Sequence, residues 1–200
     1  MLSISSAMHG GGMAKYLLNE DYWATEAQSL YMGEGAKALK LHGHVNGREF
    51  RNLMKGVSPD GKTPLVQNPN APKRQSLWDL TWSVPKSVSV LWSQSPAEIR
   101  QKIEVSLMAA VSEVINHMER AVVQTRRGHG GARLEPVKLV VAAFLHGTSR
   151  EKDPQVHVHT CLLNVGLRLD RTFGSISTWE VFQQKLLLGA LFRLELATRL

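Results

Sequence analysis

The spacing of hydrophobic positions changes several times along this chain, and each change marks an element. Residues 2–7 read as a short strand, closed by the run Gly10-Gly11-Gly12, which cannot be a helix interior. Helical spacing covers residues 13–23. Residues 29–41 contain Gly33 and Gly35 and predict a short helix between turns, and residues 48–54 predict another. Between 56 and 73, Pro59, Pro64, Pro69 and Pro72 forbid a regular helix and predict a long surface loop. Residues 77–83 are aromatic and β-branched and predict a strand. On it Trp78, Leu80 and Trp82 share one face, while Leu77, Asp79, Thr81 and Ser83 share the other.

Pro85 interrupts the strand, and residues 87–92 read as a short helix or a turn. Ser95-Pro96-Ala97-Glu98 has the form of a capping box with proline at the first helical position. Behind it apolar residues from Ile99 to Val122 recur at helical spacing, so one long amphipathic helix is expected to about Thr125. Residues 137–146 and 156–165 are apolar on both faces, as strands covered on each side are. Ser177-Thr178-Trp179-Glu180 repeats the capping form and opens a leucine-rich helix to the last residue. That helix lacks a stop signal, and the chain reads as cut there.

Composition adds little to the fold and something to the function. With 43% hydrophobic and 20% charged residues the chain reads as one globular domain with its own core. A single cysteine, Cys161, excludes an internal disulfide; it falls in an apolar run and reads as a small buried hydrophobe in a reducing, cytoplasmic setting. The first residues lack the charged start and long apolar stretch of a signal peptide, and no window has the apolar length expected of a membrane span. The formal charge of +7 favours encounter with polyanions without identifying one.

The chemistry lies in three histidines. In Val156-His157-Val158-His159 the two imidazoles point to one side of a strand. His146 ends the preceding strand, and most residues between it and His157 suit a turn, so a hairpin brings all three together. Three neutral imidazoles leave a divalent ion its full charge and an open position, which suits a Lewis acid for phosphoryl chemistry. Asp79, on the polar face of its strand, is placed to accept a proton or to orient a ligating histidine.

The run from Phe144 to His159 resembles the three-histidine motif of the conjugative relaxases of the MobF family, within the wider His-hydrophobic-His group of nicking enzymes. Asp79-Leu80-Thr81-Trp82-Ser83-Val84-Pro85-Lys86-Ser87-Val88-Ser89 is similar to a second motif of that family, and residues 33–43 to a third region. The resemblance implies an α+β fold. A central antiparallel sheet carries the metal histidines and helices pack on its faces, permuted relative to replication-initiator nickases. It implies site-specific nicking of single-stranded DNA at a plasmid transfer origin, with a 5′-phosphotyrosine product. Tyr16 is then the nucleophile and Tyr22 a second tyrosine, although neither belongs to the adjacent pair common in the family.

The implied cofactor is a divalent ion, magnesium or manganese in use, with zinc or nickel also suited. Lys86 and Arg150 fall at motif positions and are expected on phosphates; Lys73, Arg74, Arg126, Arg127 and Arg133 are expected to track the DNA backbone. Implied partners are accessory relaxosome proteins and a coupling protein, with no membrane insertion and with export of the protein attached to DNA. The chain is expected to be one relaxase domain, residues 1–200, lacking the family's C-terminal portion. Two other readings stay open: a metal-dependent nuclease or phosphodiesterase using water, and a catalytically silent DNA-binding module.

Overall fold

A computed structural model describes residues 1–9, 28–149 and 151–200. The helix expected over 13–23, the glycine run, Tyr16, Tyr22 and Arg150 lie outside the described residues. The elements in order are β1 (Leu2–Ile4), β2 (Met8–His9), β3 (Ser29–Met32), α1 (Glu34–Ala38), α2 (Gly47–Met54) and β4 (Gln75–Ser83). There follow α3 (Lys86–Gln94), α4 (Ala97–Ala121), β5 (Gln124–Arg127), β6 (Arg133–Pro136), β7 (Lys138–Thr148), β8 (Pro154–Leu167), β9 (Phe173–Gly174), α5 (Trp179–Gln183) and α6 (Lys185–Ala197).

One antiparallel sheet runs in the order β1-β4-β8-β7-β3, with β2 also on β4 and β9 on β8. The two central strands are apolar at odd and even positions because both sheet faces are covered. On one face Leu139, Val141, Ala143, Val158 and Leu162 meet Trp82 of β4, Leu107, Val111 and Met118 of α4 and Phe192 of α6. On the other, Val140, Ala142, Phe144, Cys161 and Leu163 meet Tyr31, Phe50 and Leu53. The class is α+β, as expected, with helices on the sheet. Cys161 is fully buried and burial pushes its thiol pKa up, in keeping with a packing role.

Several local expectations fail for identifiable reasons. Ser29–Met32 is a strand ahead of the expected helix, paired with β7 and burying Tyr31 and Met32. The long helix stops at Ala121; Gln124–Arg127 turns back on Arg133–Pro136 as a two-stranded ribbon. Ser95 caps nothing in α4: its hydroxyl donates to Leu91 O at 2.7 Å and closes α3 instead, leaving Pro96 as N-cap. The second capping form fails likewise, because Ser177 is extended and its N–H donates to Gln124 O. The leucine-rich C-terminal helix is two helices, broken at Gln184. The first strand is split into β1 and β2.

The expected helix at 48–54 forms as α2, where the Asn46 side chain accepts from Arg48 N at 2.8 Å and Glu49 N at 3.2 Å. Near the other end of α4, Glu119 is 3% exposed and ties three elements together. Its Oε1 accepts from Glu34 N at 2.8 Å and Leu139 N at 2.7 Å.

Candidate metal centre

The metal end of the sheet is built by register. His146 of β7 stands directly opposite His157 of β8, and Phe144 opposite His159. Across β8's other edge Thr81 of β4 pairs with His159 and Ser83 with His157. All three imidazoles therefore rise from one face, with ring centroids 5.4, 5.5 and 4.9 Å apart. Ligand nitrogens roughly 2 Å from one ion at near-tetrahedral angles put ring centroids about 5 Å apart, so the spacing suits a shared ion. Among the described residues no three such side chains are already closed around one point. The register gathers the triad on one face of the sheet.

Hydrogen bonds set the tautomers. His159 Nδ1 lies 2.7 Å from Asp79 Oδ2 and 3.2 Å from Thr81 Oγ1. A carboxylate only accepts, so Nδ1 carries the proton and Nε2 the lone pair. His157 Nδ1 donates to Gln155 O at 2.7 Å, with the same result. A carboxylate or carbonyl behind a histidine is the usual outer support of a metal ligand. Burial, reinforced by His159 and His157, pushes the His146 pKa down to about 3. Burial also lowers that of His157, against the Gln155 hydrogen bond that raises it. Both are neutral near pH 7, the form that ligates.

Asp79 is half-buried with a second oxygen, Oδ1, that has no hydrogen-bond partner among the described residues. Its backbone N–H donates to Ser5 Oγ at 3.0 Å, so β1 and its following loop fix this residue. Tyr31 is the one tyrosine among the described residues. It packs in the core and burial raises its phenol pKa, which removes it as a nucleophile.

The basic residues are dispersed. Lys86 is exposed and its Nζ donates to Pro154 O at 3.0 Å, at the start of β8 below the triad. Arg74 and Arg126 lie at the far end of β4 and β8. Arg74 donates to Asn164 O at 2.5 Å and burial lowers its pKa. Asn164 is seven strand residues from His157, or about 23 Å along β8 at ~3.3 Å per residue. There Arg126 and Arg168 line a cleft of about 370 Å³ with Gln67, Gln75, Trp78 and Ser175. Arg127 is held by Asp170 and Glu135 and so is partly neutralised.

Sequence reasoning missed the residues behind the triad. Ser89 and Trp92 of α3 contact its hairpin and Glu104 of α4 holds Trp92, and no spacing rule connects them to it. A cleft of about 340 Å³ beside His146 is lined by Gln28, Trp92, Glu104 and Gly147. Thr81 was legible, since it shares a strand face with Asp79.

Comparison with known proteins identifies the family. Two sequences of the multifunctional conjugation protein TraI of Escherichia coli, one from strain K12, are 32% and 31% identical over 170 residues. The match takes in 82% of this chain and 9% of each relative, so the chain spans a small part of their length. The conjugative relaxase TrwC in complex with oriT DNA, in a metal-bound structure, superposes with a TM-score of 0.82 at 32% identity. It covers 100% of this chain and 69% of that one. A copper-bound TrwC complex with oriT DNA gives 0.80 at 29% identity, with 100% and 69% covered. TrwC with a 27-mer DNA comprising the recognition hairpin and the cleavage site gives 0.79 at 30%, with 100% and 68% covered. Residues 10–200 match the sequence model of the TrwC relaxase. The chain belongs to the TrwC relaxase family.

Proposed function

We propose that this chain nicks one DNA strand at a transfer origin by transesterification to a tyrosine, with a divalent ion held by His146, His157 and His159. One observation carries the reading: three converging imidazoles, one of them backed by the Asp79 carboxylate at 2.7 Å. The bound ion supplies Lewis-acid charge to a phosphoryl oxygen. Magnesium or manganese serves in use, and zinc or nickel also suits an all-nitrogen site.

The protein's own residues do the rest. Burial keeps His146 and His157 neutral, and Asp79 holds His159 in its ligating tautomer. Tyr16 is the nucleophile: its phenolic oxygen bonds to phosphorus, the P–O3′ bond breaks, and the proton given up by the phenol ends on the departing 3′ oxygen, which leaves as a hydroxyl. Asp79 Oδ1, buried and unpartnered among the described residues, is the acceptor available to the phenol proton. Tyr22, six positions further along, is not needed for the first cut. Arg74, Arg126 and Lys73 follow the strand's phosphates at the far end of the sheet, while Arg150 and Lys86 serve near the cut.

The relatives' complexes with oriT DNA, and their metal-bound and copper-bound forms, support the substrate and the ion. No helix among the described residues is long and apolar enough to cross a membrane. Residues 1–200 act as one relaxase domain, to which accessory relaxosome proteins and a coupling protein would attach. The test is to incubate the protein with end-labelled single-stranded transfer-origin DNA and manganese, then denature. A protein–DNA adduct supports the reading. Cleavage without an adduct points to a water-using nuclease, and binding without cleavage to a silent module.

A further inference from the structure

The β7–β8 register slips between His146 and Thr148, so Gly147 has no partner on β8 and Val156 none on β7. The slip lies beside two of the three histidines, since Gly147 follows His146 and Val156 precedes His157. A slipped ladder leaves backbone groups to be satisfied from elsewhere. Helix α3 and the residue leading into it supply the partners of Val156. Ser89, 1% exposed, accepts from Val156 N through its Oγ at 3.0 Å. Val84 N, just before the helix, donates to Val156 O at 3.3 Å.

The other side of the slip is held by shape. The far edge of the Trp92 indole covers Gly147 so closely that a Cβ there would sit 2.4 Å from the ring. The indole is itself fixed: Nε1 donates to Glu104 Oε1 at 2.8 Å, and the Arg100 guanidinium lies 5.9 Å from the ring centroid. Lys86 completes the row through Pro154 O. Three residues on successive turns of one helix thus grip the backbone on both flanks of the histidine hairpin.

We propose that α3 is the brace of the metal centre, with Ser89 and Trp92 as positioning residues that set the spread of the three imidazoles, and Glu104 as the group that orients Trp92. The inference rests on the three-histidine reading above. Lost outer support of a ligand typically lowers metal affinity by about 10–100-fold, which is the scale expected here.

The test measures Mn(II) affinity by calorimetry and the Cu(II) spin-resonance spectrum, with thermal midpoints alongside. Ser89→Ala removes the acceptor for Val156, and Trp92→Phe withdraws the ring edge from Gly147. Both are expected to weaken Mn(II) binding by about tenfold or more and to shift the copper hyperfine splitting. Ser89→Thr keeps the oxygen and Glu104→Gln keeps an acceptor for the indole, so both restore near-native affinity. Val181→Ala, a core truncation in α5 away from the hairpin, should lower the thermal midpoint without changing either metal signal. If Ser89→Ala and Trp92→Phe lose only thermal stability, as Val181→Ala does, the brace is overturned while the three-histidine reading stands. A wild-type protein that binds neither ion overturns both.

Discussion

Removing the Asp79 carboxylate should weaken metal binding by a predictable amount, and the structure says why it should not abolish it. Asp79 Oδ2 takes the Nδ1 proton of His159 at 2.7 Å, with both side chains mostly shielded. A hydrogen bond to a charged group contributes about 1.5–3 kcal/mol. Outer-shell losses of about 10–100-fold correspond to ~1.4–2.7 kcal/mol, so two independent scales agree. Thr81 Oγ1 lies 3.2 Å from the same nitrogen and can take the proton over. Asp79→Ala should therefore reach no further than about 100-fold. Asp79→Asn keeps an oxygen for Nδ1 and loses only the charge, so about tenfold is expected. Combining Asp79→Ala with Thr81→Val should cost more than the two single changes together, because each covers for the other. Titration calorimetry with Mn(II) at fixed pH reads all of these. Wild-type affinity in Asp79→Ala, or a larger loss in Asp79→Asn than in Asp79→Ala, would refute the orienting role.

Three further outcomes are expected. Tyr16→Phe should abolish the covalent adduct while Tyr22→Phe leaves first cleavage intact, and mass spectrometry of the DNA-linked peptide decides between them. Burial raises the Glu119 carboxyl above its ordinary pKa, against the pull of the Leu139 and Glu34 N–H groups. A carboxyl raised in the fold lends stability below its unfolded pKa and loses it as pH rises through the folded value. Glu119→Gln keeps an acceptor and removes the charge, so its urea midpoint should gain on wild type at pH 7 and not at pH 4. An equal difference at both pH values counts against this. Single-stranded DNA binding should weaken with salt, and Arg126→Ala with Lys73→Ala should flatten the log–log slope by about 0.7 for each phosphate no longer neutralised. A slope unchanged in titrations from low to high salt would remove these residues from the DNA path.

What was legible in the sequence followed from local periodicity. Strands β7 and β8 and the convergence of His146, His157 and His159 could be read because two continuous apolar runs, the turn residues between them and the two-residue histidine spacing all lie within one hairpin. Helix α4 could be read from its apolar spacing, but its end could not. Val122 and Thr125 continue the helical pattern, but Val122 caps α4 and Thr125 belongs to β5, where it is buried and donates to Ser175 O. Strand β3 was hidden because four residues carry too little alternation, and the glycines beside it suggested turns. The capping forms misled because Ser95 has two helix ends in reach and its hydroxyl serves the earlier one. Ser89, Trp92 and Glu104 act across elements distant in sequence, and only packing reveals them.

All three imidazoles lie between positions 146 and 159, and this has a thermodynamic consequence. The unfolded chain keeps them at high mutual concentration, so it competes for the ion with the native state. Stabilisation by a ligand depends on the difference between the two affinities, and binding to the unfolded chain subtracts from it. Adding metal should therefore raise the melting temperature by less than the native dissociation constant alone implies. What separates the two states is the support that comes from far along the chain, above all Asp79. The ion thus reports on how well the distant parts of the fold are assembled around the hairpin, more than it holds them together.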